Sequence, residues 1–353
     1  MKTHKRIAGR SKGFTLIEIM VAMTIGMLGI MIMMQVFTLF LGQKRTTSGA
    51  ADAQENGLIA LYTMERDVRM SGLGLVGLGC TTINVSNETW ATPQTTWTML
   101  PVVVTVDNPA VGTDKLVTLY STSAFANIPT SIEYSMPSTS SILNVSNGDG
   151  FVQGNLFLVS DSPPASPPRA CTLAEATQDG QKTGSTWNLQ HNPSSVWNLP
   201  GGHTLFPAGG YGAGARVTNM GSMVNREYYV QNNSLMMRDR TLVDSATNPV
   251  ALVNGIFAIK ALYGKDTTAD GYVDTFVNTP APTAAEEVIA IRLAVVARAE
   301  SNERESVSPA TLVLWSGGTV ANGGAIALSA SDRQYRYKVY HTTIPLRNII
   351  WGV

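Results

Sequence analysis

The first forty residues join a short basic leader to a long apolar run, and this pattern constrains the chain more than any other. The leader carries Lys2, Lys5, Arg6, Arg10 and Lys12 without any acid and ends at Gly13. The apolar run then extends over residues 14–41. A hydrocarbon core of about 30 Å is crossed by roughly 20 helical residues. The run therefore predicts a membrane-spanning helix, and the basic leader places its N-terminus in the cytoplasm.

Glu18 is the only charged side chain between Phe14 and Gln43. A carboxylate inside a membrane helix costs about 2.5–3.5 kcal/mol on insertion scales, and such residues usually have a partner. No Lys or Arg of the apolar run can pair with it, so we expect the partner to come from another molecule. A free α-amine at Phe14 of a neighbouring subunit would lie at the same depth and would suit the carboxylate.

The sequence GFTLIE at residues 13–18 resembles the type IV prepilin (class III) signal. The resemblance implies that a dedicated prepilin peptidase cleaves between Gly13 and Phe14 and that the same enzyme N-methylates Phe14. It also implies a role in assembly for Glu18. The resemblance covers only the N-terminal segment, but its basic leader, Gly, Phe, apolar run and Glu all coincide.

Two other interpretations of this segment remain open. The first is a secretory signal peptide with its cleavage site at residues 51–53 (ADA), although the apolar regions of signal peptides are only about 7–15 residues long. The second is a plain single-pass anchor in which Glu18 has no assembly role. A lipid anchor is disfavoured because neither cysteine lies directly after the apolar run.

The pattern beyond the membrane run predicts an α+β fold, in which one long N-terminal helix carries a large β-rich head. We divide the chain into a leader at 1–13, a transmembrane and assembly half of the helix at 14–42, an amphipathic half at 43–72 and an extracytoplasmic head at 73–353. The amphipathic half has two faces. Its apolar face is expected to hold Leu58, Leu61, Met64 and Val68, and its polar side Glu55, Glu65, Arg66, Asp67 and Arg69.

Residues 72–77 spell G-x-G-x-x-G. A dinucleotide site needs a strand before this motif and a helix after it. Here a helix precedes the motif and a Thr/Asn/Ser-rich stretch follows it. We therefore interpret the glycines as a flexible exit from the helix.

Short β-like runs follow in the head. They predict strands at 101–106, 115–120, 151–159 (bulged at Gly154), 226–231, 234–238, 288–296 and 335–340. The pair Asn232-Asn233 indicates a hairpin turn, and residues 250–263 form a further apolar segment. Residues 161–215 are rich in Pro and Gly and are expected to form a long irregular excursion. Within it, Trp187 and Trp197 either fix the excursion to the head or form a contact surface.

The two cysteines, Cys80 and Cys171, have loop-like, polar surroundings. An oxidising extracytoplasmic location favours a disulfide between them, and two unpaired thiols are the alternative. Closing so long a loop would stabilise the fold by about 4–5 kcal/mol in the chain-entropy model.

A second resemblance lies further along the chain. Residues 65–72, 261–266, 288–299 and 340–348 are similar to PilW-type minor pilins, although more loosely than the N-terminal segment. The resemblance implies a low-copy, non-catalytic subunit that primes type IV pilus assembly and lies at or near the pilus tip. The partners implied are other minor pilins, the major pilin, the prepilin peptidase, the inner-membrane assembly platform and a pilus-tip adhesin.

Two other functions use the same architecture. A type II secretion pseudopilin shares the signal and the helix, and a pilin head can act as a surface adhesin or a DNA-uptake receptor. The whole chain has 25 basic and 25 acidic residues, so acids outnumber bases once the leader is removed. We therefore expect no nucleic-acid partner. Catalysis is not indicated, because the four histidines lack zinc-like spacing and no G-x-S-x-G motif occurs.

One stretch has the character of an ion site. Asp266, Asp270 and Asp274 stand at positions 1, 5 and 9 of a loop with Gly271 at position 6, which partly matches a calcium-binding loop. Val277 occupies position 12, where such loops carry a bidentate Glu. Calcium binding and a simple acidic turn are the two interpretations, and no other cofactor is expected.

Overall fold

The computed structural model describes residues 13–90, 92–109, 111–137, 142–193, 195–199, 205–242, 249–278 and 288–350. Most of the leader therefore lies outside the described residues. The chain divides into two compact units, Met1–Gly49 and Ala50–Val353. Helix α1, Leu16–Met70, has 55 residues and belongs to the first unit up to Gly49 and to the second unit from Ala50.

In the first unit, the apolar side chains of α1 are exposed, with Phe14 at 83% and Met33 at 72%. Within the described part of the chain, α1 is the one helix long and apolar enough to cross a membrane. The hydroxyls of Thr24 and Thr38 donate to the helix carbonyls of Val21 and Gln35, at 2.9 Å in each case. These two hydroxyls thus have partners inside the helix, as a lipid environment requires.

The second unit is rich in strands. The first ten strands are β1 Thr82–Ser86, β2 Gln94–Thr98, β3 Val102–Asn108, β4 Thr113–Tyr120, β5 Thr130–Ser131, β6 Ile142–Val145, β7 Leu156–Ser160, β8 Cys171–Glu175, β9 Gln181–Thr183 and β10 Thr186–Gln190. The next ten are β11 Arg216–Gly221, β12 Val224–Gln231, β13 Ser234–Asp239, β14 Val250–Asn254, β15 Ile256–Lys265, β16 Thr275–Val277, β17 Val288–Arg298, β18 Thr311–Val313, β19 Ala325–Ala327 and β20 Tyr337–Pro345. A short helix, α2 Arg347–Ile350, follows β20.

These strands form sheets whose order differs from the chain order. A six-stranded sheet runs β2-β1-β8-β7-β11-β5, and a three-stranded sheet runs β6-β10-β9. A five-stranded sheet runs β14-β13-β12-β4-β3, and a four-stranded sheet runs β16-β15-β17-β20. Strands β18 and β19 pair with each other. The predicted α+β class, with one long apolar helix and a β-rich head, is confirmed.

Strand β17 is the centre of the four-stranded sheet, as its nearly continuous apolar sequence predicts. One face of this sheet shares a core with α1 and the five-stranded sheet, through residues such as Met64, Leu116 and Ile291. The other face packs under β18 and β19, where Val296 contributes to a cluster with Ile326. A strand covered on both faces needs apolar residues at every position, which explains the sequence of β17.

The second half of α1 buries most of the apolar face that the sequence predicted, since Met64 and Val68 are buried and Leu61 packs against the core, and it also buries a stripe of small residues. Ala53, Gly57 and Ala60 are buried, together with Met64 and Val68 farther along the helix. The predicted contact residue Leu58 is 48% exposed, so this part of the prediction is wrong. A Cβ at Gly57 would lie 2.6 Å from the ring of Tyr340, and small residues therefore allow α1 to approach the sheet closely.

The hairpin predicted at Asn232-Asn233 joins β12 to β13 and is confirmed. Both asparagines have positive φ, 50° and 59°. A two-residue turn with two positive φ values matches the twist of the flanking strands, and Asn tolerates this conformation.

Two expectations about the middle of the head are wrong. The strand predicted at 151–159 begins only at Leu156, because Gly154 has a φ of +86° in a turn and Asn155 Oδ1 accepts the N–H of Val152 at 3.2 Å. The excursion at 161–215 also contains strands β8, β9 and β10. Strand β8 pairs in parallel with β1, far away in the sequence, so the local Pro and Gly content did not reveal it.

Candidate functional site

The candidate assembly residues lie at the start of α1. Gly13 and Phe14 precede the helix and are exposed. Thr15 is the residue just before the first helical position, Leu16. Its backbone N–H and its hydroxyl each donate to Glu18 Oε2 at 2.8 Å, and Glu18 N–H donates to Thr15 Oγ1 at 3.3 Å. This reciprocal arrangement is a capping box, which satisfies donors at the helix N-terminus.

The capping box changes the account of Glu18 that the sequence suggested. One carboxylate oxygen, Oε2, already has donors from its own chain. Within the described residues Oε1 accepts no hydrogen bond, so one oxygen of the carboxylate has donors and the other does not. The pattern Thr-x-x-Glu was present in the sequence at residues 15–18, so a local signal for this cap existed and our reading of the sequence missed it.

A second site lies at the other end of α1, where Asp67 is buried at 1% exposure. Its Oδ2 accepts from Tyr228 Oη at 2.6 Å and from Arg226 Nη1 at 2.9 Å, and its Oδ1 accepts from Tyr120 Oη at 3.2 Å. The sequence placed Asp67 on the polar, solvent-facing side of the helix, and this prediction is wrong. The carboxylate instead joins the helix to β4 and β12.

The ionisation of the two phenols follows from this arrangement. Burial, and then the negative charge of Asp67, raises the pKa of Tyr120 to about 12. Burial and the hydrogen bond to Asp67 raise the pKa of Tyr228 as well. Both hydroxyls therefore stay protonated and remain donors to the carboxylate at any physiological pH. The hydrogen bonds of this buried cluster attach the helix to the five-stranded sheet.

The glycine motif after α1 forms the turn that leads into the head. Gly72 and Gly74 have φ values of +88° and +79°, which L side chains rarely adopt. Gly72 N–H donates to Leu119 O at 3.0 Å, and Ser121 N–H donates to Leu73 O at 2.9 Å. These bonds attach the helix exit to the end of β4, in agreement with the structural interpretation of the motif.

The stretches that resemble PilW-type pilins meet in space. Asn348 Nδ2 donates to Met70 O at 2.9 Å, so the end of the chain contacts the exit of α1. The stretches 261–266 and 288–299 lie largely on β15 and β17, which pair along their length. The resemblance therefore maps onto one continuous region, made of the helix exit, the four-stranded sheet and α2.

The cysteines and tryptophans stabilise the outer part of the head. Cys80 and Cys171 are disulfide-bonded, with their Cα atoms 5.7 Å apart. Trp197 packs edge-on against Trp90, with ring centroids 5.6 Å apart, beside the same core cluster. Trp187 packs against a neighbouring cluster. Both tryptophans of the predicted excursion thus fix it to the head.

The predicted calcium loop has its carboxylates turned towards its own backbone. Asp266 accepts N–H groups from Ala269 at 2.6 Å and Gly271 at 2.8 Å, and Asp274 accepts the N–H and hydroxyl of Thr267, each at 2.7 Å. Within the described residues, no three His, Cys, Asp or Glu side chains form a group suited to a metal ion. Asp266, Asp270 and Asp274 are therefore not brought together as a ligand set, and calcium binding stays a prediction that a chelator titration of head stability tests.

The class of protein follows from the start of the chain. Residues 9–34 match the family model described as the prokaryotic N-terminal methylation motif. Together with the long apolar helix and the β-rich head, this match shows that the chain is similar to type IV pilins.

The family within that class is indicated by the other end of the chain. Residues 226–348 match the family model described as type IV pilus-assembly protein W. This range runs from β12 to the start of α2 and includes the four-stranded sheet, but not the helix exit. The resemblance to PilW-type pilins that the sequence indicated is thereby confirmed over this part of the chain.

A solved structure is also similar. The type IV-like pilin TTHA1219 from Thermus thermophilus shares 16% identity over 36% of this chain and 69% of that chain, with a TM-score of 0.27. So low a score carries no argument about function. The search of curated proteins gave no match.

Proposed function

We propose that this protein is a minor pilin that helps to prime type IV pilus assembly and is incorporated at or near the pilus tip. The observation that carries the proposal is the joining of an N-terminal methylation motif, on a 55-residue helix, to a head that matches the assembly protein W model. The proposed role is structural and non-catalytic. The protein starts in the bacterial inner membrane with its head outside the cytoplasm, and it moves into the pilus on assembly.

The proposed mechanism depends on the N-terminal residues. The prepilin peptidase cleaves after Gly13 and N-methylates Phe14. The helices of neighbouring subunits then bundle through their apolar runs. Glu18 Oε2 is held by Thr15, and we assign to Oε1 the amine of a neighbour's Phe14. That pair neutralises the carboxylate within the membrane and sets the depth of one helix against the next.

The Glu18→Ala variant tests this mechanism. Cleavage should proceed normally, because the peptidase site at Gly13 and Phe14 is intact. Incorporation should fall strongly, because the neighbour's amine loses its partner. The fraction of processed protein in sheared pili, compared with the membrane fraction, measures the effect. Glu55→Ala is the matched control, since Glu55 is an exposed acid on the same helix outside the apolar run. Incorporation of Glu18→Ala at the wild-type level contradicts the mechanism.

A gene deletion tests priming separately. Cells without this protein should make fewer pili while their membrane pool of major pilin stays unchanged, because priming acts before elongation. Pilus counts by electron microscopy in a retraction-deficient background give the measurement. An unchanged pilus number would remove the priming role and leave only membership of the pilus.

Labelling of the head on intact pili tests the tip position, and signal along the whole shaft would contradict it.

A further inference from the structure

Strand β20 forms an edge of the four-stranded sheet and pairs only with β17 in the described part of the chain. It has nine residues and keeps an unshifted register along its length. By comparison, the edge strand β3 has seven residues and a register shift between Val106 and Asn108. A long, regular edge offers unpaired backbone groups to a further strand. Natural sheets usually avoid such an edge unless it has a partner.

The alternation of hydrogen bonds between β17 and β20 shows which backbone N–H and C=O groups of β20 are unpaired. Leu346 N–H donates to Ile289 O at 2.8 Å, and Ala299 N–H donates to Arg336 O at 2.9 Å. Antiparallel pairs alternate between bonded and non-bonded residues, so the even-numbered residues of β20 bond to β17. The odd-numbered residues 337, 339, 341 and 343 therefore direct their N–H and C=O groups away from the sheet. Within the described residues these groups have no hydrogen-bond partner.

Pro345 agrees with this assignment. It falls in the outward-facing, odd-numbered set, where its missing N–H removes no bond to β17. Proline is tolerated in sheets at such edge positions. It also ends the row of outward donors, so that the edge available to another chain is the part of β20 before Pro345.

A preformed groove lies beside the first residues of β20. It has a volume of about 350 Å³ and is lined by Ala50, Ala53, Val307, Ser308, Pro309, Leu312, Arg336, Tyr337 and Lys338. One wall is held to the chain before β20, because Ser308 Oγ donates to Tyr335 O at 2.6 Å and Val307 N–H donates to Arg333 O at 2.8 Å. The groove can take one apolar side chain from a strand added to β20.

The charge of this edge selects the occupant. Residues 336–347 contain three basic residues and no acid, and one of the three, Arg336, is paired with Glu303 at 3.0 Å. Lys338 is exposed and has no ion pair within the described residues. Two copies of β20 would bring one Lys338 towards the other without an acid of the strand between them, which opposes self-pairing, whereas an acidic segment is attracted to Lys338.

From these observations we infer that β20 is a docking edge for an extended segment of a different pilin subunit. The segment adds a strand to β20, places one apolar side chain in the groove and one acidic side chain near Lys338. Strand addition of this kind takes its affinity from main-chain hydrogen bonds and its specificity from the alternating side chains. The inference rests on the proposed function, because it supplies the contact through which a priming complex would form.

Photo-crosslinking in native membranes tests the inference on the full-length chain. A photoreactive residue replaces Thr343, which is exposed on the free edge, and in a control it replaces Thr311, which is exposed on β18. A third position, Met33 on the apolar half of α1, reports on helix bundling. The Thr343 probe should give one adduct, identified by mass spectrometry as an acidic, extended segment of another protein that carries an N-terminal methylation motif. Thr311 should not give it.

Variants show whether the backbone edge makes the contact. His341→Pro removes an outward N–H that does not bond to β17, and it should lower the Thr343 adduct about tenfold, whereas His341→Ala should leave it unchanged. Lys338→Glu should also lower the yield of the Thr343 adduct. Because this substitution leaves the backbone unchanged, it tests the inference even if the proline variant fails to fold.

The remaining outcomes overturn the inference in distinguishable ways. An adduct at Met33 without one at Thr343 removes the docking edge and leaves the proposed function standing. A Thr343 adduct to a second copy of this chain, or one that none of the variants changes, also overturns the inference. Failure at both positions removes the proposed function together with the docking edge.

Discussion

At the scale of single residues, Asp67 is the side chain on which the joint between α1 and the head depends. It combines burial, a charge and three donors from two strands of the five-stranded sheet. Removing one member of a buried charged pair costs about 3–5 kcal/mol, because the other member stays buried without compensation.

Asp67→Asn should therefore lower the free energy of unfolding of the head by about 3 kcal/mol, since Arg226 loses its counter-charge. Urea unfolding of the processed protein, followed by circular dichroism, measures the change. Glu65→Gln is the matched control on the same helix turn. It breaks only the exposed pair with Arg69 and should cost less than about 1 kcal/mol. Equal effects of the two substitutions would contradict the assigned role of Asp67.

His191 gives a pH dependence with a defined sign. It lies near Phe157 and Phe206, with ring centroids 6.3 and 5.1 Å away, and burial lowers its pKa from 6.5 to about 4. Below pH 6.5 the unfolded chain binds a proton that the folded head does not. Stability is therefore complete above pH 6.5 and falls as the pH drops to about 4, by about 3 kcal/mol for this group.

The difference between wild type and His191→Gln isolates that contribution. The variant should lose less stability than wild type between pH 6.5 and 4, as judged by denaturant midpoints at each pH. A slope that His191→Gln leaves unchanged would show that the imidazole is not the group that titrates.

At the scale of elements, the close approach of α1 to the four-stranded sheet depends on Gly57. A Cβ at this position would lie 2.6 Å from Tyr340 and 3.1 Å from the Cβ of Ala297. Ala is favoured over Gly in a helix by about 1 kcal/mol, so the steric and propensity effects oppose each other here. The ring contact is too short to remain without a shift of the helix or the strand.

Gly57→Ala should consequently destabilise the head, by about 1 kcal/mol or more, although a helix normally gains from this change. The free energy of unfolding again provides the measurement. Gly42→Ala is the matched control in the same helix, because nothing lies within 4 Å of its Cβ position. It should be neutral or stabilising. A stabilised Gly57→Ala would show that the contact with Tyr340 relaxes at little cost.

How much of this architecture is readable in the sequence depends on how local each signal is. The membrane run, the apolar strand β17 and the Asn-Asn hairpin were predicted because their patterns lie within a few consecutive residues. Strand β8 was missed because its partner β1 lies far away in the sequence. Asp67 was misplaced because helix periodicity assigns charged residues to solvent and cannot show donors from remote strands. The capping box at residues 15–18 is a local pattern and could have been predicted from Thr15 and Glu18.

At the scale of the whole molecule, two regions supply the features on which the proposed function depends. The start of the chain supplies the motif for processing and the helix for membrane insertion. Residues 226–348, which match the assembly protein W model, supply the sheet against which the helix packs and the free edge of β20. The glycine turn at Gly72 and the bond from Asn348 to Met70 connect these regions. In the proposed function, the helix is the part that contacts other subunits within the membrane, and the edge of β20 is the part that contacts a subunit outside it.

The central claim is that the chain is processed and assembled as a pilin. Mass spectrometry of the N-terminal peptide from the native membrane fraction tests it most directly. The account predicts a peptide that begins at Phe14 and carries one N-methyl group, because cleavage and methylation follow from the motif at Gly13. An intact Met1 start would contradict the account and leave a simple membrane anchor, and a start near Asp52 would indicate a secreted protein.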